Sequence, residues 1–153
     1  MNNLTRKPIL CIDPGASGGF AVQPPYGMVE AQAMPEGMSA QIDAIRHIAA
    51  TNPGLKAVIE NVGFHRPGNS AVATAKFARH VGHIEAALYT LGIPTTTVTP
   101  SKWMAALGSL PADKTARKNA IKEKVARQFP HLKVTLGTAD ALGILVWART
   151  KTV

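Results

Sequence analysis

Three short apolar runs open the chain, separated by turn residues. KPILCID (7–13), GGFAV (18–22) and MVEAQAM (28–34) have the length and composition of strands, and the third alternates apolar with polar positions. MSAQIDAIRHIAA (38–50) changes period: Met38, Ile42, Ile45 and Ile48 fall on one helical face. Asn52-Pro53-Gly54 breaks it, and LKAVIE (55–60) is a fourth strand. After the loop NVGFHRPGN (61–69), a long helix starts near Asn69 or Ser70, either of which can cap it. Ala73, Phe77, Val81, Ile84, Leu88 and Leu91 form its apolar stripe, while Lys76, Arg79, His80 and His83 share another face. Gly92 and Pro94 stop it. TTTVT (95–99) is a short strand, Pro100 to Leu107 a short helix, and ADKTARKNAIKEKVARQF (112–129) a basic helix. Thr138 is the expected cap of the last helix, ADALGILVWAR (139–149).

This order predicts a mixed α/β sheet covered by helices. Short connections make the first three strands antiparallel, and intervening helices make the later ones parallel. At 153 residues the chain is expected to form one domain, 1–153. No apolar run approaches the ~20 residues that cross a bilayer. The single cysteine, Cys11, excludes an internal disulfide and fits packing in a strand within a reducing cytoplasm.

Charge changes the picture. The formal net charge is +8, and it is lopsided: residues 1–60 carry 4 Lys+Arg against 5 Asp+Glu, residues 61–153 carry 13 against 4. A basic excess confined to one part of the chain points to a polyanion such as nucleic acid. Lys102, Lys114, Arg117, Lys118, Lys122, Lys124 and Arg127 form a late basic run, within which Lys114, Arg117, Lys118 and Lys122 share one helix side.

Three of the 9 acidic residues occupy similar settings. Asp13 ends the first strand, Glu60 ends the fourth, and Asp140 stands in the first turn of the last predicted helix. Ligands of α/β sheets bind beyond the carboxyl ends of strands. If the first and fourth strands are parallel neighbours, Asp13 and Glu60 share an edge to which a crossing helix adds Asp140. Three converging carboxylates call for a cation, and an oxygen-only set suits Mg²⁺ or Mn²⁺. Read singly, Asp13 before Pro-Gly is also a turn residue, and Asp140 also suits a helix dipole. A phosphotransferase reading of DPGASGG needs a second domain, for which 153 residues leave no room. His80 and His83 lack the partners of a zinc pair, and both Trp103 and Trp147 read as core. Gly82, inside a helix, costs about 1 kcal/mol relative to alanine, which a close helix contact would explain.

Several blocks, in order, resemble the RuvC-type Holliday junction resolvases of the ribonuclease H-like nuclease superfamily. They are ILCIDPGASGGFAV, AVIENVGFHRPGNSAVATAKFARHVGHIEAAL, GIPTTTVTPSKWMAALG, DKTARKNAI and TADALGILVWA, and they span nearly the whole chain. The resemblance implies a five-stranded mixed sheet flanked by helices. It implies a homodimer that cuts four-way junctions by paired nicking, with Mg²⁺ or Mn²⁺ held by Asp13, Glu60 and Asp140. Lys114 matches a basic residue that serves the reaction. DNA contacts are then expected from Phe64, His65 and Arg66 after Glu60, from Lys76 and Arg79 on the long helix that dimerises and faces DNA, and from Lys102, Arg117 and Lys118. One departure matters: where the family often has a second acid one turn before the last aspartate, this chain has Gly137, and neither Lys133 nor Thr138 can replace an anionic ligand. A broader branched-DNA nuclease and a junction-binding protein with weakened catalysis are the competing readings.

Overall fold

The computed structural model describes residues 6–63 and 67–151. Five strands, β1 (Ile9–Asp13), β2 (Gly19–Gln23), β3 (Glu30–Ala33), β4 (Lys56–Glu60) and β5 (Thr95–Val98), form one sheet in the order β3-β2-β1-β4-β5. β1 pairs antiparallel with β2, and β2 with β3; β1 pairs parallel with β4, and β4 with β5. The expected mixed sheet is the one observed.

The helices are α1 (Met38–Thr51), α2 (Ala71–Thr90), α3 (Pro100–Ala105), α4 (Lys114–Gln128) and α5 (Leu136–Arg149). Alternation along β1 sends its residues to two separate cores. Leu10 and Ile12 pack with Ile45 and Ile48 of α1 and Ile84 and Leu88 of α2. Ile9 and Cys11 pack on the other face with Trp103 of α3, Ile121 and Val125 of α4, and Leu142 and Leu145 of α5. α5 is buried almost throughout from Thr138 to Ala148, between the sheet on one side and α3 and α4 on the other. Its run ALGILV is apolar all round because it is covered all round.

Of two helix starts, one falls within the sequence reading and one differs from it. Ser70, not Asn69, caps α2, its side chain accepting from the Ala73 amide at 3.1 Å. α5 begins at Leu136, earlier than predicted, because Thr135 and Thr138 form a reciprocal capping box. Thr138 is therefore the third helical residue rather than the cap. Trp103 is 1% exposed, as expected of core, whereas Trp147 is only half-buried. A Cβ at Gly82 would meet no atom within 4 Å, so no helix contact within the described chain explains that glycine.

Candidate active site

The register of two parallel strands brings the first two acids together. Ile12 pairs with Ile59, and Asp13 and Glu60, one residue further on, close β1 and β4 at the same level. Cys11 pairs with Val58 on the face covered by α5. Side chains two residues further along each strand point to the same face. Asp13 and Glu60 thus stand side by side on the α5 side, Asp13 half-buried and Glu60 8% exposed. Asp140 lies on α5, which packs against β1 and β2. With α5 starting at Leu136, Asp140 sits in its second turn, where the helix dipole that could have explained it has faded.

The setting of each acid differs. The indole N–H of Trp103 donates to a carboxylate oxygen of Glu60, a buried contact across 43 residues of sequence. Trp103 holds its place because Gly143 of α5 has no side chain: a Cβ there would fall 2.6 Å from Trp103 Cζ3. Burial pushes the Asp140 carboxyl pKa up, and the Lys118 ammonium pulls it part of the way back.

The turn beyond Asp13 is built on glycines. Gly15 has φ +110, in the region that favours glycine, and its carbonyl accepts from the Gly18 amide at 3.0 Å. A Cβ at Gly18 would overlap the Asp13 carbonyl oxygen, at 2.0 Å, so the chain can fold back over Asp13 only with glycine there. Gly137 sits across from this turn. Its carbonyl would lie 2.6 Å from a Cβ at Gly19, whereas a Cβ on Gly137 itself would find its nearest neighbours, Ser17 O and Thr135 Oγ1, at 3.7 Å.

The donor chemistry of Asp13, Glu60 and Asp140 fits a hard divalent cation: all three offer carboxylate oxygens, and Asp140 is a partly desolvated acid whose charge a cation would offset. Among the described residues, however, no three Asp, Glu, His or Cys side chains are gathered closely enough to hold one ion. The fold supplies the acids on one sheet face without closing them into a cage.

The basic residues divide by what they already do. Arg117 donates to the Ala112 carbonyl at 2.8 Å and Lys124 to the Leu107 carbonyl at 2.9 Å, tying down the connection between α3 and α4. Arg127 pairs with Glu123. Lys102, Lys114, Lys118 and Lys122 are exposed, as are Lys76 and Arg79 on α2. Lys114 opens α4. Lys118, one turn later, is the lysine whose charge reaches Asp140. Phe64, His65 and Arg66 lie outside the described residues. His80 and His83 meet edge to face at 5.0 Å between ring centres, and His83 bonds to Gln41. Sequence reasoning placed Trp103 in the core and missed its contact with Glu60. A buried acid, Glu60, with no local partner in sequence was the only signal pointing to such a donor.

No protein-family profile matches the sequence, and no curated protein matches it. Solved structures do. Thermus thermophilus RuvC in complex with a Holliday junction substrate superposes with a TM-score of 0.62 over 96% of this chain and 98% of that one, at 20% sequence identity. The fold is that of RuvC. A second structure of Thermus thermophilus RuvC gives a TM-score of 0.56 over 94% of this chain and 96% of that one, at 21% identity. The RuvC likeness covers nearly the whole chain, so the resemblance read from sequence blocks holds as a likeness of fold. No helix among the described residues is long and apolar enough to cross a membrane.

Proposed function

We propose that the protein is a divalent-metal-dependent endodeoxyribonuclease that acts as a homodimer on four-way DNA junctions in the cytoplasm, nicking two strands as a pair. The observation that carries this reading is the side-by-side ending of Asp13 and Glu60 on the face that α5 crosses with Asp140. It is supported by a fold shared over nearly full length with a RuvC bound to a Holliday junction.

In this reading Asp13, Glu60 and Asp140 hold Mg²⁺ or Mn²⁺. Such an ion, when bound, lowers the pKa of a water and stabilises the leaving oxygen of a phosphodiester. The chain's own residues do the rest. Trp103 fixes the Glu60 carboxylate, and the tight glycine turn 15–18 lets a phosphate backbone approach Asp13. Lys114 contacts the phosphate undergoing reaction, and Lys118 holds the Asp140 carboxyl toward its ionised form. Lys76, Arg79, Lys102 and Arg117, with Phe64, His65 and Arg66 of the loop after Glu60, grip the arms, which makes affinity steeply salt-dependent. Gly82, open along α2, lets a second copy approach closely.

The test offers a four-way junction, a fork and a linear duplex with Mg²⁺ or Mn²⁺, to wild type and to Asp13→Asn. Paired nicks on the junction, lost in the variant, are the expected result; equal cutting of all branched forms would instead indicate a broader nuclease. Gly137 favours a second reading, a junction binder with weakened catalysis. Tight metal-independent binding with no cleavage of any substrate would establish it and sink the nuclease.

A further inference from the structure

The end of the sheet opposite the acids carries a different feature. An open depression of about 450 Å³ is lined by Ile9, Gln23 and Ala148 and by the exposed Arg6, Lys7, Arg149 and Lys151. Four of these are cations and none is an acid. The ion pairs among the described residues are elsewhere, Arg46 with Asp43 and Arg127 with Glu123. The site is well separated from the candidate active site. Ile9 and Asp13 bound β1, about 13 Å apart at strand rise, and Arg149 and Asp140 are a similar distance apart along α5, at ~1.5 Å per residue.

Cations at the end of α5 have an ordinary explanation in the helix dipole. It does not cover Arg6 and Lys7, which arrive from the other end of the chain and are fixed there. The Arg6 amide donates to the Pro25 carbonyl at 3.3 Å. Gln23, 6% exposed, works both ways: its Nε2 donates to the Lys7 carbonyl at 3.2 Å, and its Oε1 accepts from Arg149 Nε at 2.6 Å. Arg149 also stacks on Phe129, its Cζ 5.1 Å from the ring centre. That leaves both its Nη groups without a partner among the described residues. Burial, and then the charge of Arg6, push the Arg149 pKa down, so the guanidinium pays for this company. A buried amide thus gathers like charges that repel one another, and an anion is what would relieve them.

We propose that Arg6, Lys7, Arg149 and Lys151 form a phosphate-binding site, separate from the three acids, that takes a phosphate group either of a nucleic-acid backbone or free in solution. The planar fork of Arg149, held in orientation by Gln23 and Phe129, is suited to bidentate contact with phosphate oxygens.

The test uses the full chain with a chelator present, so it does not depend on cleavage. In one arm, inorganic pyrophosphate is titrated at constant ionic strength while the backbone amides of Gln23 and Arg149 are followed by NMR. A saturable shift is expected. Binding should weaken at least about five-fold in Lys7→Gln/Lys151→Gln, whose side chains have no partner in the described fold, and also in Arg149→Lys, which keeps the charge and loses the fork. In the other arm, binding of duplex and junction DNA is measured against salt. If a DNA backbone occupies the site, the slope of log K on log salt falls by about 0.9 per contact removed, or about 1.8 for the double variant. An unchanged slope with pyrophosphate binding assigns the site to free phosphate. Absence of both a saturable pyrophosphate shift and a slope change overturns the proposal, whether or not the protein cuts DNA.

Discussion

The indole of Trp103 donates its N–H to the carboxylate of Glu60, and both groups are buried where β4 ends. A buried carboxylate is tolerated only with donors around it. The contact therefore links a core aromatic to a candidate metal ligand.

Replacing Trp103 by Phe keeps most of the ring and removes the donor. We expect a loss of about 1–3 kcal/mol in urea unfolding, the range for leaving a buried polar group short of a partner. Glu60→Gln in the same background should recover part of it. A double-mutant cycle with a coupling below about 0.5 kcal/mol would mean that the bond contributes nothing.

Two helical glycines should respond in opposite ways to alanine. At Gly143 the new methyl would lie 2.6 Å from Trp103 Cζ3 and 2.9 Å from Cε3. Overpacking of this kind costs about 1–3 kcal/mol and outweighs the gain in helix propensity. Gly82→Ala meets open space and should stabilise the monomer by up to about 1 kcal/mol. Sedimentation of the same variant reads the dimer: if two copies pack at Gly82, alanine weakens their association.

Stability should depend on pH through Asp140. Burial raises its carboxyl pKa in the fold, so the protonated form is favoured there. This contribution to stability is complete below the ordinary carboxylate range and is lost as pH rises through the raised value. In the presence of a chelator, Asp140→Asn should melt above wild type at pH 7, with a margin that shrinks toward pH 4. Lys118→Gln removes the charge that opposes the rise and should lower the melting temperature at pH 7, whereas Lys114→Gln should not. Equal melting of wild type and Asp140→Asn at pH 7 would contradict this.

Gly137→Asp should fold. A Cβ at this position has its nearest neighbours at 3.7 Å, and an acid at the second residue of α5 favours the dipole. The added carboxylate stands on the same helix as Asp140, one turn earlier. Calorimetric titration with Mn²⁺ should show tighter binding than wild type, and cleavage of a four-way junction should rise with it. Unchanged Mn²⁺ affinity would mean that position 137 lies out of reach of the ion.

Much of this arrangement was legible in the residues because it rests on local periodicity and strand order. The helices before LKAVIE and TTTVT sufficed to expect parallel crossovers, whereas the pairing of β1 with β4, on which Asp13 beside Glu60 depends, is decided by the sheet. Leu136 and Gly137 hid the start of α5, since a glycine immediately before Thr138 reads as loop until the capping box closes around it. Lys114 and Lys118 share a helix stripe, and only the docking of α4 on α5 decides that Lys118 is the one to reach Asp140. The contact of Trp103 with Glu60 spans 43 residues, and nothing in either segment encodes it alone. The convergence of Arg6 and Lys7 with Arg149 likewise joins the two ends of the chain through one glutamine.

Cys11 lies at the centre of β1, wholly buried between β2 and β4, and burial pushes its thiol pKa far up. Its side chain faces α5, so a thiol reagent can meet it only after α5 has lifted from the sheet. Its labelling rate is therefore a clock for opening of the core between α5 and the sheet, set by the fold's own equilibrium. Any ligand that binds only the closed form slows that clock by the factor 1 + [L]/Kd. With one native cysteine and no added probe, the affinities of Mn²⁺, junction DNA and pyrophosphate can all be read on a single scale, from variants that cleave and variants that do not.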